Sequence, residues 1–274
     1  VNNIGFIGIG NMGGAMAKAI ANREGELEQV VIYDVNKESY KKFLDDEHIV
    51  IAENLEKFLK QTKYIVLSIK PQYYEEICLQ IKNFLTPEQI IITVAPGHSL
   101  AMMKELLGEA TKIIRTMPNT PALIGAGITA YTYQQEVLIK DEIDRFLELF
   151  NSFGKTIYVE EKLMAAVVAT TGSSPAYAYM FIEAMADAAV SFGMARESAY
   201  EMSALAIKGA CEMILQTKKH PGELKDAVTS PGGTTIQAVT TLEEFGFRNS
   251  IIKGMMACYH KANQMGHESQ NKGR

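Results

Sequence analysis

Ile4-Gly5-Phe6-Ile7-Gly8-Ile9-Gly10-Asn11-Met12-Gly13-Gly14 is the stretch on which the fold turns. Ile4 to Ile9 is an apolar run of the kind a buried strand uses, and Met12 to Ala21 is a run of small residues suited to a helix. Between them Gly8, Gly10 and Gly13 fall at G-x-G-x-x-G spacing, in the strand-to-helix context that gives this motif meaning. The first glycine makes the turn, the second lets a pyrophosphate approach the backbone, and the third lets the helix pack on the strand. Met12 opens the helix, whose N-terminus faces the phosphates. A second strand, Gln29 to Tyr33, ends at Asp34, about twenty residues past the last glycine, where an acid meets a ribose hydroxyl. A Gly-rich turn also serves packing alone, but strand, helix and acid together predict dinucleotide binding.

The alternation continues along the chain. Lys37 to Leu44, Leu55 to Gln61, Tyr74 to Phe84, Leu100 to Leu107 and Lys140 to Phe153 read as helices. His48 to Ala52, Tyr64 to Ile69, Ile90 to Val94, Lys112 to Arg115, Ile128 to Tyr133 and Thr156 to Val159 read as strands. The order implies an α/β fold, a doubly wound and mostly parallel sheet of the Rossmann type. Such sheets bind ligands outside the carboxyl ends of their strands. Asp34, Ser68-Ile69-Lys70-Pro71, Ala95-Pro96-Gly97 and Arg115 to Pro121 fall there and outline one rim. Lys70 is placed either to meet a cofactor phosphate or to stay solvated. Asn54, just before a helix, either caps it or reaches the adenosine ribose. Asn119 lies in a double-proline turn, which by itself accounts for an asparagine.

From about Glu161 the character changes. The remaining residues are helix-forming, rich in Ala and Met, with no convincing strand, so 1–160 reads as a dinucleotide-binding domain and 161–274 as an all-helical one. Tyr177, Met180, Phe181, Ala184, Met185 and Ala188 follow helical spacing and are expected in the core. Ala206, Gly209 and Ala210 make a narrow face for a crossing helix. Nine of the fourteen methionines follow residue 160, and so much apolar helix surface in a thin domain predicts a homodimer through this half. The polar residues His267 to Arg274 are expected to form a loose tail.

Composition limits the partners. A net charge of −5 without a large Lys/Arg cluster argues against nucleic acid. Cys78, Cys211 and Cys258 are scattered and lack C-x-x-C spacing, so neither a disulfide framework nor a metal site is expected, and a reducing cytoplasm is the default. The run from Ile4 to Ile9 is too short for a membrane segment.

Leu224-Lys225-Asp226-Ala227-Val228-Thr229-Ser230-Pro231-Gly232-Gly233-Thr234-Thr235 is the second informative stretch. It reads as a tight turn feeding a helix, whose unpaired N–H groups and dipole welcome an anion. The hydroxyls of Ser230, Thr234 and Thr235 add donors and acceptors. Taken alone it also fits a well-capped helix behind a Gly-rich turn.

The Gly8–Gly13 loop, Ile69-Lys70-Pro71, Arg115-Thr116-Met117-Pro118-Asn119-Thr120-Pro121 and Leu224 to Thr235 together resemble the pyrroline-5-carboxylate reductases over essentially the whole chain. One departure stands in Thr171-Gly172-Ser173-Ser174-Pro175-Ala176, where the family usually reads Ser-Gly-Ser-Gly-Pro-Ala. The helix start is expected to survive it, since Pro175 is tolerated in a first turn. The resemblance implies reduction of L-1-pyrroline-5-carboxylate to L-proline by NADPH or NADH, the last step of proline biosynthesis. It implies a dimer with an intertwined helical domain, sometimes assembled into a larger ring. It also implies roles: Thr235 positions the imine nitrogen, while Ser230, Gly232, Gly233 and Thr234 hold the substrate carboxylate. Gly8, Gly10, Asn11, Met12, Gly13, Asp34, Asn54, Ser68, Lys70, Pro71, Ala95 and Asn119 hold the cofactor, with Asn119 on the nicotinamide side.

Between the two cofactors the residues pull both ways. Asp34 accepts from a ribose 2′-OH and repels a 2′-phosphate, whereas Asn36 and Lys37 lie just beyond and could embrace one. Two other readings are open: a β-hydroxyacid dehydrogenase, and a nucleotide-sensing dimer without chemistry. The first needs a lysine on the interdomain helix, and Leu163 to Ala206 contains none; the second predicts a damaged 230–235 stretch, which is whole.

Overall fold

The computed structural model describes residues 3–23 and 29–272. The strands are β1 (Ile4–Ile7), β2 (Val30–Tyr33), β3 (Ile49–Ile51), β4 (Tyr64–Leu67), β5 (Ile90–Thr93), β6 (Lys112–Met117), β7 (Gly127–Tyr133) and β8 (Gly154–Tyr158). They form one 8-stranded sheet in the order β3-β2-β1-β4-β5-β6-β7-β8. All neighbours are parallel except the antiparallel pair β6 and β7. The order reverses beside β1, so the turn after β1 opens at the crevice where doubly wound sheets bind ligands.

The helices crossing between strands are α1 (Asn11–Ala21), α2 (Leu55–Gln61), α3 (Tyr74–Ile81), α4 (Leu100–Leu107) and α5 (Lys140–Phe150). They cover both faces, so the central strands are apolar throughout rather than alternating: β1, β4 and β5 are buried at every position. One core layer gathers Phe6, Met16, Ile20, Val66, Phe146 and Phe150; the other gathers Ile7, Phe58, Ile65, Tyr74, Ile91 and Met103. Lys37 to Leu44, expected as a helix, holds a 3₁₀ segment from Lys37 to Phe43. Phe43 is buried while the residues before it face solvent or are half-buried, so one apolar anchor does not hold a full α-helix.

At the amino ends of the strands Glu142 is buried, its side chain 3% exposed, and it pairs with Lys112 at 2.8 Å and Lys63 at 3.4 Å. Burial raises its pKa, but the bonds from Lys112, the Ile139 N–H and Lys63 outweigh that and hold the carboxyl below its usual range.

The chain after β8 holds α6 (Met164–Val167), α7 (Ser174–Ser191), α8 (Arg196–Thr217), α9 (Pro221–Ala227), α10 (Thr234–Glu244) and α11 (Phe247–Lys272). Two compact units result: residues up to 173 with 258–274, and residues 174–257. α7 begins at Ser174 with Pro175 in its first turn, as expected of the departed Ser-Ser-Pro sequence. α11 runs to Lys272 where a loose tail from His267 was expected; once a helix is nucleated each further residue adds one backbone bond, and Gly273 and Arg274 lie outside the described residues.

In the second unit α7 packs on α8, yet α7 buries only Ala186 and α8 only Ala199 and Ser203. The stripe Tyr177, Met180, Phe181, Ala184, Met185 and Ala188 is therefore not core. It lines an apolar groove of about 1110 Å³ with Leu242 from α10 and Phe247, Ile251 and Met255 from α11. The small face of Ala206, Gly209 and Ala210 is exposed, and a Cβ on Gly209 would touch nothing within 4 Å. Helical spacing located both stripes; it carries no information on whether the covering surface comes from the same chain.

Candidate active site

The turn after β1 is built from the sheet outward. Gly8 has φ +90, and its carbonyl accepts the Ser68 hydroxyl at 2.5 Å. A Cβ on Gly13 would collide with the Gly8 carbonyl and the Ser68 hydroxyl, so β1, the end of β4 and α1 close on one another only with glycine there. At Gly10 a Cβ would meet nothing within 4 Å. Gly10 is the N-cap of α1 and no side chain caps the helix. Its first-turn N–H groups are thus left for a ligand.

Asp34, at the end of β2, accepts the Ile9 N–H on Oδ2 and the Asn36 N–H on Oδ1, both at 2.8 Å. Its own backbone is fixed by Tyr40, whose hydroxyl accepts the Asp34 N–H and donates to the Asp34 carbonyl, both at 2.7 Å. Burial, foremost, raises the Tyr40 pKa and keeps that donor protonated. Lys42 donates from Nζ to the Ile9 carbonyl at 2.9 Å. Neither Tyr40 nor Lys42 was expected; spacing could place them near β2 but not aim their tips.

Gly8, Gly10, Asp34, Ser68 and Lys70 line one cleft of about 620 Å³, together with Val35, Asn36, Ser39 and Tyr73, a size that suits part of a dinucleotide. Lys37 is not in its lining. Asn11, Met12 and Gly13 form the adjoining first turn of α1, and Pro71 starts a short 3₁₀ turn after Lys70. The open face at Gly10, the uncapped helix and the acid at β2 fit a dinucleotide pyrophosphate and ribose.

Seven expected cofactor residues are outside that cleft's lining: Asn11, Met12, Gly13 and Pro71, which adjoin it along the chain, and Asn54, Ala95 and Asn119. Asn54 is the N-cap of α2, accepting the Lys57 N–H at 2.9 Å. Ala95 is buried just beyond β5. Asn119 is buried after β6, its amide donating to the Thr171 carbonyl at 3.1 Å and its oxygen accepting the Ile128 N–H at 2.9 Å. Behind the same rim the Tyr74 hydroxyl donates to the Leu67 carbonyl at 2.5 Å and accepts the Val94 N–H at 3.3 Å, tying the ends of β4 and β5. His98 stacks on Tyr74 with ring centroids 4.1 Å apart, and burial lowers its pKa.

The second turn stands in the helical unit. The Gly233 N–H bonds the Ser230 carbonyl at 3.0 Å, and Gly232 has φ +68. α10 opens at Thr234 with Gly233 as N-cap and no side-chain cap. Thr240 and Thr241 return their hydroxyls to helix carbonyls. Among the described residues the hydroxyls of Ser230 and Thr235 have no protein partner. They, and the first-turn N–H groups, are placed to receive an anion and a polar neighbour. His220 caps α9, accepting the Gly222 N–H at 3.1 Å, a structural task.

Among the described residues no group of three or more His, Cys, Asp or Glu is placed to hold a metal ion, and no helix is long and apolar enough to cross a membrane.

Comparison with known proteins adds the following. Residues 161–265 match a family described as pyrroline-5-carboxylate reductase dimerisation, and residues 3–97 match one described as NADP oxidoreductase, coenzyme F420-dependent. The chain is 41% identical over 263 residues to the pyrroline-5-carboxylate reductase of Escherichia coli K12, covering 96% of this chain and 97% of that one. It is 34% identical to that of Methanosarcina acetivorans, covering 96% and 97%. A crystal structure of the Plasmodium falciparum pyrroline carboxylate reductase with NADP bound superposes with a TM-score of 0.87 at 29% identity, covering 97% and 98%.

Proposed function

The chain belongs to the pyrroline-5-carboxylate reductase family, and on that premise we propose that it reduces L-1-pyrroline-5-carboxylate to L-proline with NADPH or NADH. The observation that carries the reading is the second turn: a helix begun by bare glycine, with the free hydroxyls of Ser230 and Thr235 beside its uncapped N–H groups. A small anion with one polar reacting atom suits that set.

A dinucleotide held at the turn after β1 would supply a hydride for the imine carbon, and the nitrogen would gain a proton. Everything else falls to the chain's residues. The α1 N-terminus, with Gly8, Gly10, Asn11, Met12 and Gly13, holds the pyrophosphate; Asp34 orders the adenosine end, with Ser68, Lys70 and Pro71 along the cleft. Asn54, Ala95 and Asn119 complete the rim, and Asn119, its side chain already bonded to backbone, acts by fixing the turn after β6. The N–H groups of Gly233 and Thr234, with Gly232 giving the bend and Ser230 its hydroxyl, hold the substrate carboxylate. Thr235 orients the imine nitrogen. A hydroxyl is too weak an acid to be the final proton source, so water supplies the proton. Positioning, rather than a covalent intermediate, provides most of the acceleration.

The helical region 161–274 forms the dimer, with the groove lined by Met180 and Phe181 as its seam. In light scattering, two chains identify the dimer alone, a higher even number identifies the larger ring, and a monomer at micromolar concentration refutes both. The activity is tested by NAD(P)H oxidation, followed by absorbance, with pyrroline-5-carboxylate as acceptor. Turnover with this imine is expected; none with either cofactor refutes the reading.

A further inference from the structure

Ile9 stands between two glycines, and charged side chains hold it at both ends. Its N–H is on the Asp34 carboxylate at 2.8 Å, and its carbonyl is on the Lys42 ammonium at 2.9 Å. The same ammonium lies 3.4 Å from the Gly10 carbonyl. It occupies the space beside α1, where a Cβ on Gly14 would come within 2.6 Å of it. Among the described residues no carboxylate pairs with Lys42; besides these carbonyls its ammonium lies 5.1 Å from the centre of the Phe43 ring.

A glycine-rich turn samples more backbone conformations than any other, and a ligand that needs one of them must offset the ordering cost. Two carbonyls drawn to the ammonium leave the peptide N–H groups facing the other way, toward the open side at Gly10. The cation also adds to the positive end of the α1 dipole. We infer that Lys42 is a positioning residue for the cofactor's pyrophosphate, holding the Gly8–Gly13 turn in its binding conformation from behind. The inference rests on the dinucleotide reading above and assigns Lys42 no contact with the cofactor.

The test compares Lys42→Met and Lys42→Arg with the unaltered enzyme. The dissociation constants of NADH and NADPH are read from nicotinamide fluorescence, and steady-state constants from the reductase assay. Lys42→Met is expected to weaken both cofactors by about tenfold or more, the scale of a lost charged hydrogen bond. KM for pyrroline-5-carboxylate and kcat at saturating cofactor should stay unchanged, and Lys42→Arg should restore most of the affinity. Unchanged cofactor affinity in Lys42→Met overturns the inference, as does an equal loss in imine KM and kcat. If Lys42→Met does not fold, Lys42→Gln decides, because it keeps a donor without the charge and should also bind more weakly; normal affinity there overturns the inference. An unaltered enzyme that binds neither dinucleotide refutes the functional reading itself, a failure distinct from that of Lys42 alone.

Discussion

α1 and α10 each begin behind a glycine N-cap with no side-chain cap, and their beginnings are braced in opposite ways. Their N-caps are Gly10 and Gly233, whereas α2, α4 and α9 are capped by Asn54, Ser99 and His220. The first turn is held from outside, by Ser68 on the Gly8 carbonyl and by Asp34 and Lys42 on either side of Ile9. The second is held by its own residues, with Gly233 bonded to Ser230. The difference follows from the fold. β1 lies between β2 and β4, so neighbours reach its turn from both sides; the turn before α10 joins two helices, in a unit whose described elements are all helices. A large, invariant ligand suits a site fixed in advance by a sheet. A reacting group of a few atoms needs only a short turn and free hydroxyls.

The largest expected effect lies in the second turn. If Thr235 orients the reacting nitrogen, Thr235→Ala should lower kcat/KM by about 10² to 10³, the usual cost of one lost donor at a reacting centre. The cofactor dissociation constant should hardly move, since that site is braced elsewhere. Kinetics like those of the unaltered enzyme would remove Thr235 from the mechanism; a cofactor affinity that falls in step would mean the two turns are not independent.

Next comes Gly13. Its missing side chain is what lets α1 close on Gly8 and Ser68, and the Gly8 carbonyl is backbone that cannot swing away. Gly13→Ala should destabilise by about 1 to 3 kcal/mol, the range for overpacking a close contact. It should also weaken dinucleotide binding, since α1 must shift to relieve the clash. Thermal denaturation and cofactor titration check the two halves, and normal stability would show that the helix already sits further from β1.

How much of this was readable in the residues follows the same division. The first turn was legible because its chemistry is local: three glycines, a strand and a helix within one short stretch, with Asp34 at the next strand's end. Its bracing was not, because Tyr40 and Lys42 act through side-chain tips whose direction depends on a 3₁₀ segment where a helix was expected. Helical spacing picked out Tyr177, Met180, Phe181 and Ala184 as one face but put them in the core, and they line an open groove. Asn119 carried two readings, and its bonds run to Ile128, 9 residues on, and to Thr171, in a segment 52 residues along the chain. Thr235 was legible only through resemblance, because a lone threonine at a helix start has no local signature of its task.

A smaller effect concerns the bracing behind the first turn's rim. His98 is buried against Tyr74, and burial, first, holds its pKa below the ordinary imidazole value of 6.5; the Pro96 carbonyl raises it in part, and repulsion from Arg115 lowers it further. The unfolded chain therefore binds a proton that the folded chain resists, so stability should fall as pH drops through about 6.5 toward the lowered folded value. His98→Phe keeps a ring against Tyr74 and should flatten that part of the stability curve. Parallel curves for the two proteins between pH 7 and 5 would show that His98 contributes nothing to the slope.

The smallest change in stability separates the two turns most cleanly. Gly10 has φ −59 and open space around it, while Gly232 has φ +68 and open space as well. Alanine at Gly10 meets no clash and no left-handed backbone, and its ψ of −161 lies just past the extended range, so the cost in stability should stay under about 1 kcal/mol. The added methyl would stand where a pyrophosphate approaches, and cofactor affinity should drop about tenfold, the price of roughly 1.4 kcal/mol of lost contact. Alanine at Gly232 should do the reverse, costing about 1 kcal/mol through its left-handed backbone while leaving the cofactor constant alone. Denaturation midpoints and NADH titrations on this pair measure both quantities. If Gly10→Ala binds the dinucleotide normally, the space at Gly10 holds no phosphate, and the contrast between a preformed turn and a local one loses its first member.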